Sequence, residues 1–130
     1  MLEPNQFEEN EAWVVFQLND APIHTEQDGD FNCIALMDAA SGFIFGTAFV
    51  QTALAEPSAF EVRKLFNSCL ERSGGTAATL LLPRGRFQAT LPSEAKRRGI
   101  TAVHVHETEL SALTSEATQG FREHVQGSRA

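Results

Sequence analysis

Lysine and arginine are missing from residues 1–62, which carry eleven acids, while residues 63–130 hold all ten bases and six acids. The two halves therefore carry −11 and +4 within a net charge of −7. Such a division suits a polar molecule that pairs with a second copy or shows one basic surface to an acidic partner; the acids of the first half also serve to solvate an N-terminal segment and a loop. No stretch nears the roughly 18 consecutive apolar residues of a membrane span, so no membrane association is expected. The opening MLEPNQFEENEA has neither the basic residues nor the apolar core of a secretory or mitochondrial signal, which makes the cytoplasm the expected location. Only two cysteines occur, Cys33 and Cys69, outside any CxxC or CxxH spacing, and both read as buried free thiols. Tyrosine is absent, which removes a common stacking and interface residue, and ten phenylalanines speak of a filled core. Neither the G-x-S-x-G elbow nor a Gly-rich phosphate loop occurs, so Ser41-Gly42, Gly74-Gly75 and Pro83-Arg84-Gly85 carry no such chemistry.

What remains is ordinary globular composition, 42% apolar and 21% charged over 130 residues, enough for one domain and one core. A flexible acidic N-terminus is expected over residues 1–10, a single α/β domain over 11–126 and a disordered tail over 127–130. Ala12 to Leu18 (AWVVFQL) is β-branched and aromatic and apolar at successive positions, the mark of a central strand. Asn19 to Asp30 reads as a polar loop. Phe31 to Met37 and Phe43 to Val50 are two further strands, joined by Asp38-Ala39-Ala40-Ser41-Gly42, a hairpin connection in which Gly accepts positive φ. Ser58-Ala59-Phe60-Glu61 has the form of a capping box, and Val62, Leu65, Phe66, Cys69 and Leu70 follow as one helical stripe ended by Gly74-Gly75. The place of Cys69 on that stripe excludes a thiol nucleophile. Ala77 to Leu82 is a short apolar strand, Leu91 to Arg98 a short helix and Thr101 to Val105 a fifth strand. The remainder is a closing helix broken near Thr114. The order β-β-β-α-β-α-β-α implies a five-stranded mixed sheet with helices on its faces and the later strands parallel to the first.

This order is similar to the ribonuclease H-like superfamily, and three stretches look like the integrase cores of DDE transposases. Trp13 to Leu18 resembles their first strand, where a W-x-x-D pattern is common. Cys33 to Gly46 resembles their hairpin of apolar strand, Asp, small-residue turn and second strand ending in Gly. Pro83-Arg84-Gly85-Arg86-Phe87 with the later Gly99-Ile100 resembles their D-x-G-x-x-F stretch. The resemblance implies a site in which two or three carboxylates hold a pair of metal ions that activate a nucleophile and stabilise an in-line displacement at phosphorus, and such ions need hard oxygen ligands. Here Phe16 stands at the first-strand acid position and Pro83 at the fourth-strand position. No acid lies between Arg72 and Glu94 to replace the latter, and Asp20 reaches the former only by a shift of four residues. Glu107, Glu109 and Glu116 are the candidates for a third, late-helix carboxylate. Phosphoryl transfer, and a cofactor to support it, are therefore not expected, and no catalytic residue is assigned.

Three other groups carry candidate chemistry. Arg84, Arg86, Lys96, Arg97 and Arg98 would line one rim of the sheet and contact phosphates or an acidic partner, with Phe87 either stacking on a base or anchoring in the core. His104 and His106 share one strand face and, with Glu107 or Glu109, are weak candidates for a metal site. His24 with Glu26, Asp28 and Asp30 is an acidic loop lacking the full EF-hand pattern. The function expected is a non-catalytic ribonuclease H-like domain that binds a protein partner or itself as a homo-oligomer. The alternative is a nucleic-acid-binding remnant of an integrase-type protein using the basic rim, and a weaker one is a metal-dependent enzyme using His104 and His106.

Overall fold

The computed structural model describes the backbone of residues 1–127 and the side chains of residues 1–124; residues 128–130 of the tail read as disordered lie outside the described residues. The elements run β1 (Ala12–Gln17), β2 (Ile23–Thr25), β3 (Gly29–Asp38), β4 (Ile44–Gln51), α1 (Ala59–Ser73), β5 (Thr79–Pro83), α2 (Thr90–Arg97), β6 (Thr101–Val105) and α3 (Glu107–Gly127). β1 pairs antiparallel with β3 and parallel with β5, β3 pairs antiparallel with β4, and β5 pairs parallel with β6. The meander and the parallel later strands are thus as the sequence implies.

Two local readings are corrected. The polar stretch 19–30 is not wholly a loop: β2 folds back on β3 with Ile23 opposite Phe31 and Thr25 opposite Gly29. Three residues closed by Gly29 at φ 85° are too short and polar to show an alternating pattern. Phe31 pairs with Ile23 on one side and Gln51 on the other, so β2 lies on the same edge of β3 as β1 and continues it. Six strands therefore make five columns. The second correction is that α3 runs unbroken through Thr114, whose hydroxyl donates to the Leu110 carbonyl at 3.2 Å and is satisfied inside the helix.

The apolar stripe of α1 and residues Leu91 and Ala95 of α2 pack on Trp13, Val15, Ile34, Leu36, Leu80 and Leu82 of the sheet. The opposite face, Val14, Phe16, Cys33, Ala35, Met37 and Leu81, is covered by Leu110 and Leu113 of α3. The period of two along each strand thus sends alternate residues into two cores, which is why the strands read as continuous apolar runs. α1 begins where Ser58 accepts from the Glu61 amide at 3.2 Å and ends at Gly74, φ 77°, whose N–H donates to Leu70 O at 3.0 Å. The first ten residues make defined contacts: Leu2 donates its amide to Glu109 O at 3.0 Å, and Leu2 and Phe7 pack on the α3 side of the core.

One end of α2 is built from far away. Its first residue follows Ala89, which offers no capping side chain. Glu56 supplies the cap instead, accepting from the amides of Ala89 at 3.1 Å and Leu91 at 3.3 Å and from the amide and hydroxyl of Thr90. Burial alone would raise the Glu56 pKa, but these hydrogen bonds outweigh it and hold the carboxyl below its ordinary value.

Candidate functional site

Parallel pairing of β1 and β5 sets Val14 opposite Leu81, and two residues further on Phe16 and Pro83 come to the same level at the C-terminal ends of the two strands. There they line a cleft of about 280 Å³ together with Gln17, Asp20, Arg86 and Glu107, the last at the first position of α3. The cleft sits where open α/β sheets commonly place ligands, and it gathers the first-strand, fourth-strand and late-helix positions singled out from sequence.

Its lining combines carbon, one cation and two acids. Phe16 and Pro83 present carbon, and Arg86 fixes a positive charge among them: its Nη2 donates to Gln17 Oε1 at 3.0 Å, and its guanidinium lies 4.6 Å from the Phe87 ring centroid. Asp20 does reach the cleft wall from the loop after β1, but it is paired with Arg122 of α3, whose Nε lies 2.8 Å away. Glu109 is turned to the amino terminus of Met1 at 3.3 Å, and Glu116 is not part of the cleft lining. Among the described residues no three His, Cys, Asp or Glu side chains come together as a metal site.

The five basic residues do not form one rim. Arg84 and Arg86 follow the C-terminal end of β5, whereas α2 runs back and delivers Lys96, Arg97 and Arg98 to the level of Thr101, which pairs with Thr79 at the other end of that strand. About 13 Å of strand lies between the two levels. Arg97 and Arg98 are further committed to Glu94, at 3.1 and 2.7 Å, and Arg98 also donates to Asn67 at 2.8 Å and lies over Phe66. Burial would raise the Glu94 pKa, but the Arg98 hydrogen bond and the nearby guanidinium charges hold it below the usual carboxylate range. Phe87 is buried in the core with a positive φ of 55°, so it anchors the turn and offers no free ring.

The histidines are also occupied. His104 donates from Nε2 to Phe87 O at 3.2 Å, while His106 ends the strand and accepts at Nδ1 from the Thr108 amide at 3.3 Å, beside the Thr108 hydroxyl at 2.8 Å. His24 pairs with Asp30 across the β2–β3 hairpin at 2.7 Å, exposed to solvent. Asp38, buried at the β3–β4 turn, accepts from the Asn10 amide at 2.9 Å and from the amide and hydroxyl of Ser41 at 3.0 and 2.7 Å, a structural role that leaves Ser41 no free nucleophile. Both thiols are free and buried, and burial pushes Cys69 up to about 12. No helix among the described residues is long and apolar enough to cross a membrane.

Sequence reasoning missed the two links that define the cleft, Arg86 to Gln17 and Arg122 to Asp20, separated by 69 and 102 residues. No local spacing signals either.

The fold is that of retroviral integrase catalytic cores, a ribonuclease H-like architecture. The catalytic core domain of BIV integrase superposes with a TM-score of 0.59 at 13% identity, covering 92% of this chain and 72% of that one. The simian T-cell lymphotropic virus intasome in complex with PP2A regulatory subunit B56 gamma gives 0.58 at 10% identity, over 85% of this chain and 37% of its own. The HTLV-2 integrase catalytic core domain in complex with magnesium, in a dimeric form, gives 0.52 at 10% identity, over 74% and 61%. The chain thus spans little more than a third of the intasome chain it matches. No protein-family model matches the chain, and no curated protein does.

Proposed function

We propose that this chain is a non-catalytic ribonuclease H-like domain that works in the cytoplasm by binding protein, either a partner or a second copy of itself. The observation that carries this reading is the cleft at the ends of β1 and β5, where Phe16, Pro83 and an Arg86–Gln17 pair stand among only two acids, one of them neutralised by Arg122. Two-metal displacement needs several carboxylates around the same ions, and a fixed guanidinium opposes their approach. Protein binding is favoured by the opposed charges of the two halves and by large apolar side chains left in solvent at Phe43, Phe49, Leu54 and Phe60. One structural neighbour is an assembly that includes a protein regulatory subunit. Two buried free thiols suit a reducing compartment. Nucleic-acid binding is weakened by the division of the basic residues and by the Glu94 pairings, which leave Arg84 and Lys96 as exposed cations without an ion pair among the described residues.

The test combines titration calorimetry with Mg²⁺ and Mn²⁺ and incubation with labelled single-stranded, duplex and hybrid oligonucleotides. No cation heat and no cleavage are expected. Metal-dependent cleavage that disappears in Glu107→Ala or Asp20→Asn would overturn the reading. Salt-sensitive oligonucleotide binding lost in Arg84→Glu would move the function to nucleic acid.

A further inference from the structure

β4 is an outer column of the sheet. Its one strand partner is β3, so the other edge of this eight-residue strand pairs with no strand among the described residues, and of its outward groups Gln51 O is taken by the Leu54 amide at 2.9 Å. Such an edge is a template for another strand, and proteins usually blunt it with charge, proline, brevity or a bulge. Here most of those devices are missing. From Ala39 to Ala55 the chain contains no charged residue and no proline. A register shift opposite Leu36 and Met37 disturbs the first part of the strand, leaving Gly46–Gln51 regular. Thr47, Phe49 and Gln51 are all exposed, which shows that α3 does not extend over this column. Phe49 is 57% exposed although it stands opposite buried Cys33, and Phe43 at 54% and Leu54 at 55% flank the strand. On the other face Gly46 lies so close under α1 that a Cβ there would meet Leu65 Cδ1 at 3.1 Å, which holds the strand against the helix.

The opposite edge differs. β6 has five residues, includes half-buried His104, and runs directly into His106, Glu107 and Glu109. Short length and charge protect that side.

We propose that the β4 edge is a self-association surface on which a second copy of this chain pairs β4 to β4, antiparallel about a two-fold axis, joining two sheets into one. The occupant follows from charge. A two-fold contact sets a patch against itself, so any charged patch meets its own sign. In a chain of net charge −7, the uncharged segment 39–55 is the longest stretch without a charge, and it can meet its own copy without like-charge contact. Phe49 is buried in the pair, and the ladder satisfies the edge groups. This rests on the reading of the domain as a binding module and names its partner.

The test is sedimentation velocity of the full chain over about 1–300 µM at low and high salt, because mass action reveals a dimer through its concentration dependence. The expected result is a reversible dimer that salt preserves or strengthens. Phe49→Lys and Thr47→Lys should each weaken it by at least about tenfold, while Val103→Lys on β6 leaves it unchanged. Circular dichroism and denaturant midpoints verify the fold of each variant, and amide hydrogen exchange on the unaltered chain must show β4 protection rising with concentration, whichever variants fold. A monomer at every concentration, a dimer indifferent to both β4 variants, β4 amides indifferent to concentration, or a dimer lost in Val103→Lys instead would overturn the proposal. A monomeric result leaves the non-catalytic reading standing, since that is judged on cations and oligonucleotides.

Discussion

Removing the carboxylate of Glu56 should destabilise the domain through a helix 33 residues away. The side chain gathers four donors at the start of α2: the amides of Ala89, Thr90 and Leu91 and the Thr90 hydroxyl. Loss of an N-cap costs about 0.5–2 kcal/mol. Loss of a negative charge at a helix N-terminus adds about 0.3–1 kcal/mol, taken at its lower end because Glu56 is only partly buried. Leu91 is fully buried, so its amide has little access to replacement water. Glu56→Ala should therefore cost about 1–2.5 kcal/mol at pH 7, and Glu56→Gln, which keeps an acceptor oxygen but no charge, about half as much. The pH dependence has a definite sign. The folded pKa lies below the ordinary value of 4.5, so the stabilisation is complete above that value and drains away as pH falls from 4.5 through the lower folded value. Urea denaturation of the three proteins at pH 7 and near pH 3 reads both effects. Equal midpoints at pH 7, or a Glu56→Gln deficit undiminished in acid, would refute the capping argument.

Phe66→Ala removes a fully buried ring that touches Trp13 and carries Arg98 above it, and should lower stability by about 3–5 kcal/mol in the same denaturation assay. A loss under about 1 kcal/mol would mean that the α1 stripe is not core. The two thiols should be inert: with Cys69 pushed up to about 12 and Cys33 raised by burial, a disulfide exchange reagent at pH 8 should label them only as fast as the chain unfolds. Rapid labelling of the native protein would show the sites to be open.

The legible parts of this protein are those in which neighbours along the chain decide the outcome. The α1 stripe of Val62, Leu65, Phe66 and Cys69, its Ser58 start and its Gly74 stop are local arrangements of periodicity, cap and αL turn found in place, whereas Leu70 is only half-buried and the Ser58 cap is made from one side. The runs AWVVFQL and TLLL are apolar at successive positions because α1 and α2 on one face and α3 on the other bury both sides. Phe16 and Pro83 could be placed at strand ends, and their meeting with Glu107 followed from topology. Failures came where the pattern was too short, as in β2, or where distance along the chain misled. The run from Arg84 to Arg98 looks like one basic group, yet α2 turns its second half back to the far end of the sheet.

From the sequence alone came every element but β2, the two-sided burial, and Phe16 and Pro83 at the ends of β1 and β5, since each depends on residue type and spacing within a dozen or so positions. Tertiary structure decided which charges are free and which are spent. Arg98 is committed to Glu94 and Asn67, Asp20 to Arg122, and Glu56 to a helix it does not adjoin in sequence. Only the fold also reveals that the uncharged stretch 39–55 forms an outer edge, because a strand is an edge by what fails to pair with it.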